Sequence, residues 1–215
     1  MKPSGRSQPL DASRAVKADS SAPFVLASAS PRRLALLRQA GLEPSVVIAP
    51  EIDEALRKGE LPRAYALRVA VAKTEAVIAK EMGSFVLAAD TVVAVGRRIL
   101  PKADSEADVE RCLKLLSGRR HVVLTALALK PPSKPMRTRV VATRVAFKVL
   151  SKREIDAYIA SGEGIGKAGG YAVQGRAEAF VRWINGSYSN VVGLPLFETL
   201  GLLEGSGWSG SASAP

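Results

Sequence analysis

One cysteine, one histidine and an aromatic content of 5% in 215 residues remove whole classes of chemistry. A lone Cys112 excludes an internal disulfide framework, and with only His121 beside it the Cys/His sets that hold zinc are excluded too. A Ser-His-Asp triad would have no histidine but His121 to use. Acidic residues are also short, with 20 Asp and Glu against 31 Lys and Arg, so the formal net charge is +11. That excess implies a polyanionic partner, either nucleic acid or a small phosphorylated ligand. Nucleic acid is the less favoured of the two, because no basic stripe is interleaved with the aromatics that stack unpaired bases. Apolar runs are short as well. The longest, around Val122 to Leu129, is strand-sized and far below a membrane span. The opening "MKPSGRSQPLDASRAVKADSSAP" has no apolar signal core, and the expected location is the cytoplasm.

What is present is a chain with 47% apolar residues, enough to fold around one core. The expected organisation is a polar, disordered extension over 1–22, one folded domain over 23–205, and a flexible low-complexity tail over 206–215. Strand patterns at 24–29, 44–50, 84–95, 121–129 and 138–149 alternate with helical patterns at 30–39, 62–82, 105–118, 151–162 and from 196. "FVRWINGSYSNVV" reads as a hairpin turning at Asn185-Gly186. Hairpins among alternating strands and helices predict an α/β fold with a mixed central sheet and flanking helices. Cys112 shares a helical stripe with Val109, Leu113 and Leu116 and reads as core, and His121 reads as structural.

Two features carry chemistry. "SASPRRLALLRQAG" (28–41) is a helix start with Ser30 as N-cap and Pro31 at the first position, yet Arg32 and Arg33 fill the turn where the helix dipole is already positive. Such a corner suits an anion. Asp90 stands between "FVLAA" and "TVVAV", inside an apolar strand, where an ionised carboxylate needs a cation, a metal or strong donors. "EIDE" (51–54) offers further carboxylates, and taken alone reads as a solvated loop. "GIGKAG" (164–169) follows a helix and precedes a strand-like segment, the reverse of a dinucleotide fingerprint, and Ala168 stands where a P-loop needs Ser or Thr.

Taken together, "LASASPRRLALLRQAG", "AADTVVAV", "LSGRRHVVLTALAL", "GKAGGYAVQG" and "INGSYSNVVGLPLFETLGLL" resemble the Maf family of nucleoside triphosphate pyrophosphatases, from about Phe24 to Leu203. "SPRR", "ADT" and "QG" are similar to the branch acting on dTTP and UTP, and not the branch favouring 7-methyl-GTP. The resemblance implies an ITPase-like mixed sheet with a deep cleft. It implies hydrolysis of dTTP, UTP or modified pyrimidine nucleotides to the monophosphate and pyrophosphate, with a divalent cation, Mg2+ or Mn2+. It assigns Asp90 as catalytic base and metal-linked carboxylate, Glu54 as the other carboxylate near the metal, and Arg32, Thr91 and Gln174 to substrate selectivity. Lys73, Lys102 and Lys167 match lysines expected near phosphates, and the helix start adds Ser28, Ser30 and Arg33 to that set. Three positions depart from the family pattern: Ala103 for proline, Gly166 for aspartate and Thr74 for alanine. Maf proteins are also associated with arrest of septum formation, so a protein binding nucleic acid or a division partner is the alternative class, and a pyrophosphatase for other modified nucleotides such as 7-methyl-GTP is the other enzymatic reading. A homodimer is an open expectation.

Overall fold

The computed structural model describes residues 22–209. The expected disorder of 1–21 and flexibility of 210–215 lie outside the described residues. The elements run β1 (Phe24–Ala27), α1 (Pro31–Gln39), β2 (Val46–Ile48), α2 (Pro62–Ile78), β3 (Phe85–Val95), β4 (Arg98–Leu100), α3 (Glu106–Leu116), β5 (Arg120–Lys130), β6 (Arg137–Phe147), α4 (Lys152–Ala160), a 3-10 turn at Arg176–Phe180, β7 (Val181–Asn185), α5 (Tyr188–Val192) and α6 (Leu196–Ser206). Seven strands form one sheet in the order β2-β1-β3-β5-β6-β7, with β4 also on β3. β1 pairs in parallel with β2 and β3, and the remaining pairs are antiparallel. The mixed α/β sheet expected from the element order is the one found. Among the described residues no helix is long and apolar enough to cross a membrane.

Local chemistry explains the helix boundaries. Ser105 and Asp108 form a reciprocal capping box on α3, and Ser151 and Glu154 do the same on α4. Each such cap is worth about 1 kcal/mol. One expectation is overturned: the chain makes no hairpin at Asn185-Gly186. A type I′ turn needs positive φ at both central residues, and no non-glycine residue among those described has one. Gly186 instead adopts φ +126° in a spot where a Cβ would fall 2.8 Å from the Thr143 hydroxyl. Ser187 then accepts from the Asn190 amide and starts α5. At the two ends of the described chain Ala22 is buried, Ser206 is buried at the end of α6, and the Trp208 ring packs at a tilt against Phe24 with centroids 5.2 Å apart.

The side chains of β3 alternate between two cores. Phe85, Leu87 and Ala89 pack with α1 and α6 residues such as Leu37 and Leu203, while Val86, Ala88 and Val92 face α2. α2 lies close because Ala66 and Ala70 are small. Thr74 fixes its rotation, with its hydroxyl 3.1 Å from the carbonyl oxygens of Ala70 in the same helix and of Ala128 across the interface. Further along the sheet, Val93, Leu113 and Leu116 join Phe147, Tyr158 and Phe180 in a third core.

That third core reaches His121, whose Nε2 meets the Tyr171 hydroxyl at 2.8 Å and whose ring packs edge-on to Phe147. Cys112 is buried, and its thiol pKa is pushed up by burial, as a core residue requires. Burial drives the His121 pKa down to about 4 from 6.5. The neutral ring therefore contributes stability that is complete above pH 6.5, where the unfolded histidine is also neutral. It is lost as pH falls towards the folded value, on the order of 3 kcal/mol in all. Urea titrations of wild type should show stability dropping between pH 6.5 and 5, and His121→Gln should flatten that slope.

Candidate active site

The sheet has a gap at its centre. β1 pairs with β3 only as far as Ala27 opposite Ala88, and β4 takes up the same edge from Val93. Between them Ala89–Val92 has no strand on that side, because the chain leaves β1 at Ser28 and turns into α1. Crevices at the carboxyl ends of parallel strands are where open α/β sheets bind ligands. Here the crevice is a cleft of about 400 Å³ lined by residues from the turn after β1, α1, α2, β3, the 166–174 loop and α5.

Asp90 and Thr91 are successive residues of β3, so they face opposite sides of the sheet at this gap. Asp90 faces α2. There Lys73, buried on the helix face, donates to Asp90 Oδ1 at 2.7 Å and pairs with Glu54 Oε1 at 3.0 Å. Lys102 holds the other Glu54 oxygen at 2.8 Å. Burial alone would raise the Glu54 pKa, but hydrogen bonds from Lys102 and Lys73 outweigh it and hold the carboxyl below its ordinary value. The "EIDE" loop is thus not a free acidic loop. Tyr65 donates to the Glu54 carbonyl at 2.9 Å, Arg68 to the Ala55 carbonyl at 2.9 Å, and Asp53 accepts from the Ala55 amide. Tyr65 and Arg68 went unnoticed in the sequence. Their only signal is that they are polar at i, i+3 on a helix otherwise rich in alanine and valine.

Thr91 faces the other side. Its hydroxyl meets Arg33 at 3.2 Å and Thr125 at 3.0 Å. Arg33 is buried, and spends its Nε on the Gly193 carbonyl at 2.9 Å and an Nη on Ser28 Oγ at 3.1 Å. Of the two arginines on α1, Arg33 braces the wall of the cleft and Arg32 lines it, half-buried. Burial lowers the pKa of both, and for Arg33 the Asp90 charge opposes that effect. Ser30 is the N-cap but makes no side-chain cap bond, which leaves its hydroxyl available at the mouth of the helix.

The 166–174 loop closes the far side. Lys102 and Ala168 form an isolated bridge, and the Ala103 amide donates to the Lys167 carbonyl at 3.0 Å, which docks the loop on the segment between β4 and α3. Gly166, one of the departures from the family pattern, has φ +70°, a conformation that favours glycine. Ala103, another departure, is fully buried beneath Gly170. Lys167 is partly buried, and burial followed by the Arg32 charge lowers its pKa. Gln174 lines the cleft from the same loop and is exposed.

All of Ser28, Ser30, Arg32, Arg33, Glu54, Lys73, Asp90, Thr91, Lys102, Lys167 and Gln174 therefore border one cleft. Five cations face two carboxylates there, a local excess of three positive charges. Among the described residues no group of three or more His, Cys, Asp or Glu could hold a metal by itself. Glu54 and Asp90 do converge on one ammonium, and two carboxylates completed by ligand oxygens is a donor set that suits Mg2+ or Mn2+.

The sequence pattern of the Maf-like protein family matches residues 23–206. The dTTP/UTP pyrophosphatase of Caulobacter vibrioides is 60% identical over 185 residues, covering 86% of this chain and 96% of its own. That of Zymomonas mobilis is 55% identical over 191 residues, 89% of this chain and 95% of its own. Among solved structures, the Staphylococcus aureus Ham1 protein aligns with a TM-score of 0.41 at 18% identity, over 66% of this chain and 98% of that one.

The buried pair sets a stability expectation. Lys73→Met leaves Asp90 buried without its counter-ion and should cost about 3–5 kcal/mol in chemical denaturation at neutral pH with chelator present. Lys102→Met breaks an exposed pair and should cost under about 1 kcal/mol. Equal losses in the two variants would mean that Asp90 is better solvated than the geometry indicates.

Proposed function

The chain belongs to the Maf family, and from that membership we propose that it is a nucleoside triphosphate pyrophosphatase hydrolysing dTTP and UTP to the monophosphate and pyrophosphate. The observation that carries this reading is the excess of cationic side chains around the buried Asp90. A triphosphate brings about four negative charges, and donors already fixed in place stabilise it without reorganising. The catalytic unit spans about residues 22–208 and works in the cytoplasm.

The triphosphate lies between the first turn of α1 and the lysines across the cleft. The N-terminal amides of α1, the hydroxyls of Ser28 and Ser30, and Arg32 supply donors on one side. Lys73, Lys102 and Lys167 supply charge on the other. Arg33 contributes its field and holds the wall. Glu54 and Asp90 would hold the divalent cation together with phosphate oxygens, and when bound it neutralises charge on the phosphates and the leaving pyrophosphate. Asp90, fixed through Oδ1 by Lys73, takes the proton of the attacking water on its second oxygen, so that water adds to the α-phosphorus as the bond to pyrophosphate breaks. Gln174, exposed on the loop, presents its amide to the O4 and N3–H edge that thymine and uracil share. Cytosine presents the opposite pattern.

The direct test is pyrophosphate release from dTTP, UTP, CTP, ATP and 7-methyl-GTP with Mg2+, Mn2+ or chelator. Turnover of dTTP and UTP with either metal, abolished by chelator, is the expected outcome; no release from any pyrimidine nucleotide would end this reading. Asp90→Asn should lower turnover at least about 100-fold while dTTP still binds. A folded Asp90→Asn enzyme with near-normal turnover would remove Asp90 from the reaction.

A further inference from the structure

On the face of the sheet opposite Asp90, polar groups form a continuous chain that starts on β6, passes through the main chain of Asn190 and ends in the wall of the cleft. Thr143 of β6 accepts from Asn190 Nδ2 at 2.9 Å and from the Ser187 amide at 3.0 Å. Asn190 is fully buried, and its Nδ2 also donates to the Val123 carbonyl at 3.1 Å. The main-chain carbonyl of Asn190 accepts from the Thr125 hydroxyl at 3.1 Å. Thr125 stands directly opposite Thr91 in the β3–β5 register, and their hydroxyls are 3.0 Å apart. Thr91 in turn meets Arg33, which holds the Gly193 carbonyl.

Thr91 is more a link than a ligand. Its oxygen lies near three protein groups: Arg33, Thr125 and, at 3.4 Å, the Gly193 carbonyl. One hydroxyl proton cannot serve both Thr125 and Gly193. The Thr125 hydroxyl has the same choice between Thr91 and the Asn190 carbonyl. With Thr125 donating to Asn190, its oxygen accepts from Thr91, and the Thr91 oxygen is left to accept from Arg33. The direction of each bond is thereby set from the buried end. Val191, Val192 and Gly193, which line the cleft, follow Asn190 immediately in the chain, so the same residue anchors the segment that forms the wall.

We propose that Thr125 and Asn190, neither of which borders the cleft, are positioning residues that set nucleotide selectivity: Thr125 orients Arg33, and with it the Gly193 carbonyl of the wall, through Thr91, and the Asn190 carbonyl fixes the direction of the Thr125 hydroxyl bond. This rests on the pyrophosphatase reading above. All nucleoside triphosphates share the same phosphate chain, so a shift in the wall changes the relative acceptance of bases, whereas a general loss of folded protein lowers every rate alike.

Thr125→Val keeps the shape and removes the hydroxyl. It should lower kcat/KM for dTTP about tenfold, chiefly through KM, and reduce the dTTP-to-CTP ratio at least threefold. Thr125→Ser should restore both. Because the effect passes through Thr91, adding Thr125→Val to Thr91→Val should change the ratio no further. If Thr125→Val fails to fold, Thr125→Cys, with its weaker hydrogen bond, is measured in its place. A Thr125 variant that loses melting temperature yet keeps the wild-type KM and dTTP-to-CTP ratio overturns the proposal, as does a multiplicative effect in the double variant. Wild type runs in the same assay, so failure of the pyrophosphatase reading would show there first and separately.

Discussion

The pairing of Asp90 with Lys73 is the constraint on which the site depends. A carboxylate this deeply buried in a sheet is tolerable only with a cation against it, and the cation must come from α2. That requirement sets three things in turn. α2 must lie close, which its alanines permit, and must be rotated so that Lys73 points at β3. The Thr74 bond to the Ala128 carbonyl locks that rotation one residue along. β1 must also end at Ala27, since a strand running on beside Ala89–Val92 would close the gap through which Asp90 reaches the cleft.

The same pairing accounts for the neighbouring loop. Lys73 has a second carboxylate, Glu54, whose position is set by bonds to the main chain of the loop. Glu54 is shared with Lys102, so two lysines and two carboxylates balance. The surplus positive charge of the cleft then belongs to Arg32, Arg33 and Lys167, the three side chains whose pKa values burial lowers. Burial and mutual repulsion disfavour their charged forms in the free protein. An anion relieves both penalties, which is why the cleft favours a triphosphate over a neutral ligand.

Features set by short-range chemistry were legible in the sequence. The helical patterns at 105–118 and 151–162 coincide with helices whose caps are contacts three residues apart, and β3 reads as a strand from its apolar run alone. Asp90 stood out because its neighbours are apolar, and that contrast survives folding. The hairpin reading failed because Asn185-Gly186 satisfies a local turn rule, while the deciding contacts come from Thr143, more than forty residues away. Thr125 and Asn190 were obscured for the same reason, and Glu54 stood out only through the family resemblance. The contacts that give them meaning cross between elements: Glu54 to Lys102, Thr125 to Thr91, Asn190 to Thr143.

Arg32 and Arg33 show how far adjacent, identical residues can diverge. Successive positions on a helix are rotated by about 100°, so two neighbours point in different directions. With Leu36 and Leu37 directed into the core, Arg33, one turn before them, is carried inwards as well, while Arg32 stays at the rim. A buried guanidinium must find acceptors, and those within reach of Arg33 are Ser28, Thr91 and the Gly193 carbonyl, one each from the β1 turn, β3 and the end of α5. The arginine thus ties together three separate segments of the cleft wall. Arg33 is thereby held in a fixed position, whereas Arg32 stays half-buried at the rim of the cleft. One short sequence supplies both a braced and a rim guanidinium, and the difference between them follows from helix geometry.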